Sequence, residues 1–332
     1  MIQRFFPFLT WLPRLGRDEI RRDLIAGITV ATVLVPQAMA YARLAGLPAV
    51  YGLYAAFLPP IIAAFWGSSR QLATGPVAMA SLISAATVGS LGLTSTQDFV
   101  HASILLALLV GVLRVGLGLL RLGILVNLLS TPVVVGFSNA AALIIAGSQL
   151  HGILGVERGH EDLFLASIWV EVQRATAGVE WLTLAMAALA LAIMLGLRHR
   201  HERVLIAVVV TTVLSWALGY EGAIVGQIPR GLPAFAVPAI DTGIMWQLLP
   251  GALVLTLIGL MEAMSIARTI AARTKQHIDI NQELIGQGMA NLVGGVFNSY
   301  AVSGSFSRSA INFSCGAASG LSSAVTSGVV VL

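Results

Sequence analysis

An all-α protein that crosses a membrane many times is the fold class this sequence predicts, and three observations predict it. Only 10% of the 332 residues are charged while 57% are hydrophobic, too little polar surface for a soluble globule. Long apolar runs recur, among them 102–120, 182–197 and 204–218, close to the length that about 30 Å of hydrocarbon demands at about 1.5 Å per residue. The basic residues sit in short connections between these runs, which is how topology is encoded; the net charge of +4 is therefore no sign of nucleic-acid binding.

Residues 1–22 form a basic, amphipathic cytoplasmic lead-in, with Arg14, Arg17, Arg21 and Arg22 ahead of the first run and no small-residue cleavage site after it. Apolar length set against Gly, Pro and charge then gives spans at 23–41, 49–66, 76–89, 98–120, 129–150, 179–197, 203–219, 246–271, 281–297, 304–316 and 317–332. With the N-terminus inside, the inner side collects most of the arginines, from Arg4 to Arg273, and Lys275. The outer side keeps Arg158, Arg174 and Arg230, with Arg43 nearby. The acidic stretch 151–178, with Glu157, Glu161, Asp162 and Glu171, reads as a solvated outer loop. One cysteine, Cys315, and six histidines build neither a disulfide framework nor a cysteine metal site.

Two spans are too short to cross alone. Pro76 to Gly89 is 14 residues, about 21 Å of helix, and Ser305 to Gly316 is shorter still. Such half-helices start inside the membrane, where free backbone is tolerated only in protein or against a cavity. They are also related by a repeat. Gln37-Ala38-Met39-Ala40-Tyr41-Ala42-Arg43 matches Glu262-Ala263-Met264-Ser265-Ile266-Ala267-Arg268 at four of seven positions with an offset of 225. Ala73-Thr74-Gly75-Pro76 aligns with Val302-Ser303-Gly304-Ser305 at an offset of 229. Seven spans separate the partners, so the second copy is inverted, and a site belongs at the interface of such repeats.

The two half-helix N-termini then point at one midplane spot, where dipoles and unpaired N–H groups favour an anion. Gly75 and Gly304 let the chain turn, and Pro76 suits a first helical position. Ser305, Ser307 and Ser309 offer hydroxyls there, and Arg308 brings a full charge into the membrane sequence, a functional signal by default. Glu262 is the carboxylate in mid-span, where desolvation and a nearby arginine act in opposite senses on its charge, as a proton-coupling group requires. Asp23 and Glu283 lie near span ends, within snorkelling reach of water. Gln37 follows Pro36, which should kink or break the first span, and Tyr41 lies one turn on, on the same face.

These residues resemble the sulfate permease (SulP) family of anion transporters. The resemblance rests on Asp23-Leu24-Ile25-Ala26-Gly27, 35–42, Ala45-Gly46-Leu47-Pro48, Tyr51-Gly52-Leu53-Tyr54, Gly67-Ser68-Ser69-Arg70, Thr74-Gly75-Pro76-Val77-Ala78, 262–267, Asn281-Gln282-Glu283-Leu284 and 303–309. It implies fourteen spans in two inverted sevens, divided into a core that carries the anion and a gate that often contacts a partner protomer. On that pattern 23–219 is the first repeat, 220–245 an extracytoplasmic connection and 246–332 a partial second repeat. By matching motif position, Gln37, Tyr41, Val77, Ala78, Ser305, Phe306, Ser307 and Arg308 would contact substrate, and Glu262 would couple a proton. The implied activity is sulfate:proton symport by an elevator-like movement in an inner (plasma) membrane, with no cofactor and with a homodimer as the full-length state. Two departures stand out: the chain stops at Leu332 without further spans or a STAS domain, and it carries Ala317-Ala318-Ser319 where the family commonly has a basic residue. The expectation is a fragment that transports poorly by itself.

Sodium-coupled bicarbonate or proton-coupled dicarboxylate transport keeps the same architecture with another cargo, since the pocket residues do not fix anion size. A nucleobase permease would present acidic or amide groups where this chain has Arg308 and serines. An intramembrane hydrolase would need a base beside Ser307, and no histidine falls in a span core, so no enzyme is expected.

Overall fold

The computed structural model describes residues 6–124, 136, 139–140, 142–144, 146–147, 149–156, 164–198, 203–220 and 231–331. They fall into two compact units, one of Met1–Leu129 with Gln227–Leu332 and one of Ser130–Gly226.

In the first unit a short helix α1 (Phe8–Trp11) and a 3₁₀ turn lead into α2 (Arg17–Leu44), α3 (Val50–Trp66), the two-residue strand β1 (Thr74–Gly75), α4 (Ala78–Gly89) and α5 (Thr96–Leu119). The chain resumes with α10 (Thr242–Thr274), α11 (Ile280–Val296), strand β2 (Ser303–Gly304), α12 (Phe306–Ser314) and α13 (Leu321–Val331). Between them the second unit holds α6 (Leu150–Leu154), α7 (Phe164–Ala177), α8 (Trp181–Gly196) and α9 (Arg203–Ala217), with α8 packed on α9 and α6.

Among the described residues three helices, α2, α5 and α10, are long and apolar enough to cross a membrane, and α7 with α8 forms a further candidate bent by 118°. The helix starts follow local chemistry. Ser95 caps α5 through Gln97 N, Asp241 caps α10 through Gly243 N and Ile244 N, and Asp279 caps α11 through Asn281 N and Gln282 N. Each such cap stabilises its helix by about 1 kcal/mol. With lipid as apolar as leucine, close helix approach depends on small residues. The α5–α11 seam shows this: a Cβ on Gly111 would lie 2.8 Å from Leu292, and one on Gly288 would lie 2.7 Å from Val115.

Several expectations meet corrections. The stretch 151–178, expected as a solvated outer loop, is not a plain loop, because its second half is helix α7, which exposes Leu165, Trp169 and Val172. Within it Glu171 is 3% exposed and lies 3.8 Å from His151 Nδ1. Helix α2 takes in part of the lead-in and runs unbroken through Pro36, since the neighbouring turns of a packed helix hold the segment that loses one hydrogen bond. Helix α4 begins at Ala78, so Pro76 sits ahead of the cap rather than at the first helical position. The expected span at 129–150 lies largely outside the described residues.

Candidate functional site

The two half-helices start from one crossing. Strands β1 and β2 pair antiparallel, Thr74 opposite Gly304 and Gly75 opposite Ser303, and Ser305 N donates to Ala73 O at 2.9 Å. Helix α4 leaves this crossing after its cap Val77, and α12 leaves it after its cap Ser305. The repeat seen in sequence is therefore a physical pair, with both helix N-termini opening from the same four-residue ladder. The two glycines act differently. Gly75 has φ of +151°, a backbone that other residues rarely adopt. Gly304 is needed for closeness instead, since a Cβ there would lie 3.2 Å from Ala263 Cα and 3.0 Å from Leu72.

Arg308, in the first turn of α12, is fully buried. Its Nη1 reaches Gln37 Oε1 at 3.5 Å, a long contact, and its Nε and Nη2 have no protein partner. Nη2 points along the crossing, since a Cβ on Gly75 would lie 3.3 Å from it. Among the described residues no salt bridge joins Arg308 to Glu262, although Glu262, Tyr41 and Tyr300 are its electrostatic neighbours. A buried guanidinium with donors to spare is costly unless something negative meets it. The fixed ion pair that would have made Arg308 purely structural is not formed.

The remaining expected residues are distributed around this point. Gln37 and Tyr41 lie half-buried on α2, which packs on both half-helices. Val77 is buried at the α4 cap and Ala78 opens that helix. Ser305 is buried; its Oγ accepts weakly from Arg308 N and lies 3.4 Å from Ser307 Oγ. Phe306 and Ser307 are exposed on α12. Glu262 is half-buried on α10, with Arg308 and Arg114 as electrostatic neighbours. Ser309 has a further task that its sequence position did not show: its hydroxyl accepts from Ala73 N at 2.8 Å and so fastens the crossing.

Two carboxylates expected to snorkel are reassigned. Asp23 is completely buried and accepts from Ala318 N at 2.7 Å, from Ser319 N at 3.1 Å and from the Ser319 hydroxyl. Ala317-Ala318-Ser319 thus carries backbone donors to a carboxylate. Glu283 is 1% exposed and accepts from Ser68 N at 2.8 Å and Ser69 N at 2.9 Å. Backbone N–H groups substitute for water in both places.

The residues that hold the crossing were missed in the sequence. Asn291 of α11 grips the Val302 peptide from both sides, accepting from Val302 N at 2.9 Å and donating to Val302 O at 3.1 Å. Gln287, one turn earlier, donates to Thr74 Oγ1 at 2.6 Å, so α11 holds both strands. Arg114 of α5 is 1% exposed and donates to Val302 O at 2.9 Å and to Leu255 O at 3.1 Å. Its signal was available: it is the charge inside the apolar run 102–120. For Asn291 and Gln287 no sequence signal distinguishes a clamp from an ordinary polar residue.

The description "Sulfate permease family" matches residues 20–332. Sulfate transporter 4.1, chloroplastic, of Arabidopsis thaliana is 38% identical over 99% of this chain and 50% of its own length. The chain thus spans about half the length of the curated relatives it matches. Among solved structures, SLC26A9 superposes with a TM-score of 0.89 at 25% identity, covering 99% of this chain and 56% of that one. The transmembrane domain of the cyanobacterial bicarbonate transporter BicA superposes with a TM-score of 0.87 at 23% identity, covering 96% of this chain and 83% of that one. The chain therefore has the inverted-repeat fold of these transmembrane domains, in a multi-pass membrane protein.

Proposed function

We propose, from the premise that this chain belongs to the sulfate permease family, that the protein it represents is a secondary active transporter of small inorganic anions, sulfate entering with protons. The observation that carries the reading is Arg308: a fully buried guanidinium with two unpartnered nitrogens, set where two half-helix N-termini open from one strand crossing. Helix dipoles, unpaired amides and a fixed charge all favour an oxyanion at that point. Gln37, Tyr41, Val77, Ala78, Ser305, Phe306 and Ser307 would supply its walls and polar contacts.

Glu262 would carry the coupling proton. In this scheme the anion and the proton neutralise one another in the site, which lowers the cost of carrying either through a low-dielectric interior. The segments 23–219 and 246–332 would be the first repeat and part of the second, joined by the extracytoplasmic connection 220–245 and preceded by a cytoplasmic segment 1–22. The part of the protein that holds the crossing would move against a gate in an elevator-like cycle, in an inner membrane with the N-terminus cytoplasmic and with a homodimer as the full-length assembly.

The test is uptake of labelled sulfate, bicarbonate and succinate by the full-length protein in vesicles, at several pH values and with or without sodium. Sulfate uptake driven by an inward proton gradient supports the reading. Sodium-dependent bicarbonate uptake or proton-driven succinate uptake without sulfate transfers the same site to the alternative cargo. In the Glu262→Gln variant the pH dependence flattens; retention of the parent's dependence on the proton gradient removes Glu262 from the coupling role.

A further inference from the structure

We infer that Arg114 is a second fixed cation of the anion site and sets the charge class of the anion that the site accepts, an inference that rests on the anion-transport reading above. Arg114 comes from the C-terminal part of α5, outside the motifs that mark the half-helices. It is almost wholly buried, and no carboxylate neutralises it directly among the described residues: its Nη1 donates to Val302 O and its Nη2 to Leu255 O, while Nε has no protein partner. Carbonyl dipoles steady a guanidinium without cancelling its charge, so the site keeps its field.

The placement is specific. Val302 directly precedes β2, and Ser305, three residues on, caps the half-helix that carries Arg308. On α10 the guanidinium lies where a Cβ on Gly259 would run into it, so a glycine makes room for the charge. Glu262 follows Gly259 by three residues, which puts the two on one helix face. Arg114 and Arg308 are the two electrostatic neighbours of Glu262.

The charge count follows from the elements packed against α10. Helix α5 contributes Arg114, its other titratable groups being Asp98, exposed in its first turn, and His101, held against Ala239 O near the same end; α12 contributes Arg308, while α4 and β2 carry no titratable side chain. Helix α11 carries Glu283, whose carboxylate is taken up by Ser68 and Ser69. Tyr41 and Tyr300 face Arg308, and Arg268 lies exposed farther along α10 itself. With Glu262 ionised, two arginines and one carboxylate leave one net positive charge; with Glu262 protonated they leave two. A dianion is balanced by the second state and a monoanion by the first. A proton and a divalent oxyanion therefore arrive together because Arg114 is present. Without it, the same site would swing between zero and one positive charge and would match a monoanion.

The field of a fixed charge acts twice as strongly on a dianion as on a monoanion. Between unit charges about 10 Å apart at an effective dielectric of about 20, the Coulomb energy of each unit of anion charge corresponds to roughly tenfold in affinity. The experiment uses the full-length protein in vesicles and compares inhibition of labelled-sulfate uptake by unlabelled sulfate and by nitrate, with direct nitrate uptake as a second arm. Arg114→Gln, which keeps a donor for Val302 O, should lower the sulfate-to-nitrate affinity ratio by roughly tenfold. Arg114→Lys, which keeps the charge, should hold that ratio near the parent's. The double variant Arg114→Gln with Glu262→Gln should favour nitrate independently of pH, whereas Glu262→Gln alone should favour sulfate independently of pH.

Equal losses for both anions in Arg114→Gln, or the same ratio change in Arg114→Lys, would reduce Arg114 to a strand clamp and overturn the inference. Absence of uptake of either anion by the parent protein is a different result, which defeats the transport reading itself and this inference with it.

Discussion

Replacing Arg308 by alanine is the sharpest perturbation of the proposed site. In the present geometry Nε and Nη2 are buried without protein partners, and Nη1 makes only the long contact with Gln37. Two free charged donors, each contributing about 1.5–3 kcal/mol to an oxyanion, amount to roughly 3–6 kcal/mol, or at least about a hundredfold in affinity. The fold should survive, because removal of a weakly paired buried charge costs little and relieves desolvation. Direct binding of labelled sulfate to the purified full-length variant, with its thermal unfolding measured alongside, is the assay. Affinity reduced by about a hundredfold with unfolding unchanged is the expected outcome. Affinity within about threefold of the parent would refute the reasoning, since the guanidinium would then make no contact that the anion uses.

Other positions test how the crossing is held. Asn291→Ala removes both contacts with the Val302 peptide and leaves a buried N–H unpaired, so it should destabilise the protein by about 1–3 kcal/mol; it should also weaken sulfate binding more than a remote cavity of equal cost does, which parallel unfolding and binding measurements would show. Asp23→Ala strands Ala318 N and Ser319 N and should lower the unfolding temperature clearly, whereas Asp23→Asn, which keeps one acceptor, should lower it less. Gly259→Ala should act through Arg114, since a Cβ there displaces the guanidinium; loss of stability that Arg114→Gln relieves in the double variant is the expected coupling, and strict additivity would contradict it.

Much of the frame was legible in the sequence because the physics behind it is local. Apolar length reports hydrocarbon thickness, so helices matching ten of the expected spans appear near their expected positions. The shortness of 76–89 and 304–316 correctly marked helices that begin inside the structure, and the offset between Ala73-Thr74-Gly75-Pro76 and Val302-Ser303-Gly304-Ser305 correctly paired them. The errors arose where a polar side chain had two destinations. Asp23 and Glu283 have the composition of groups that meet water or ligand, yet each is claimed by backbone N–H groups distant in sequence. Glu171 was read as solvated, but its neighbourhood is a helix.

By itself the sequence determined that this is a membrane protein of the sulfate permease family, with two glycine-opened half-helices, an arginine near the start of the second and a carboxylate at the repeat-related position of Gln37. Periodicity, length and repeat are properties of contiguous residues, so they survive without coordinates. Only the tertiary structure decided which polar groups remain uncommitted. It paired β1 with β2, used Asn291, Gln287 and Ser309 to fasten that pair, and left Arg308 short of partners with Arg114 and Glu262 close by. Whether a buried donor is satisfied depends on atoms hundreds of residues away in the chain, and that is the quantity on which an anion site turns.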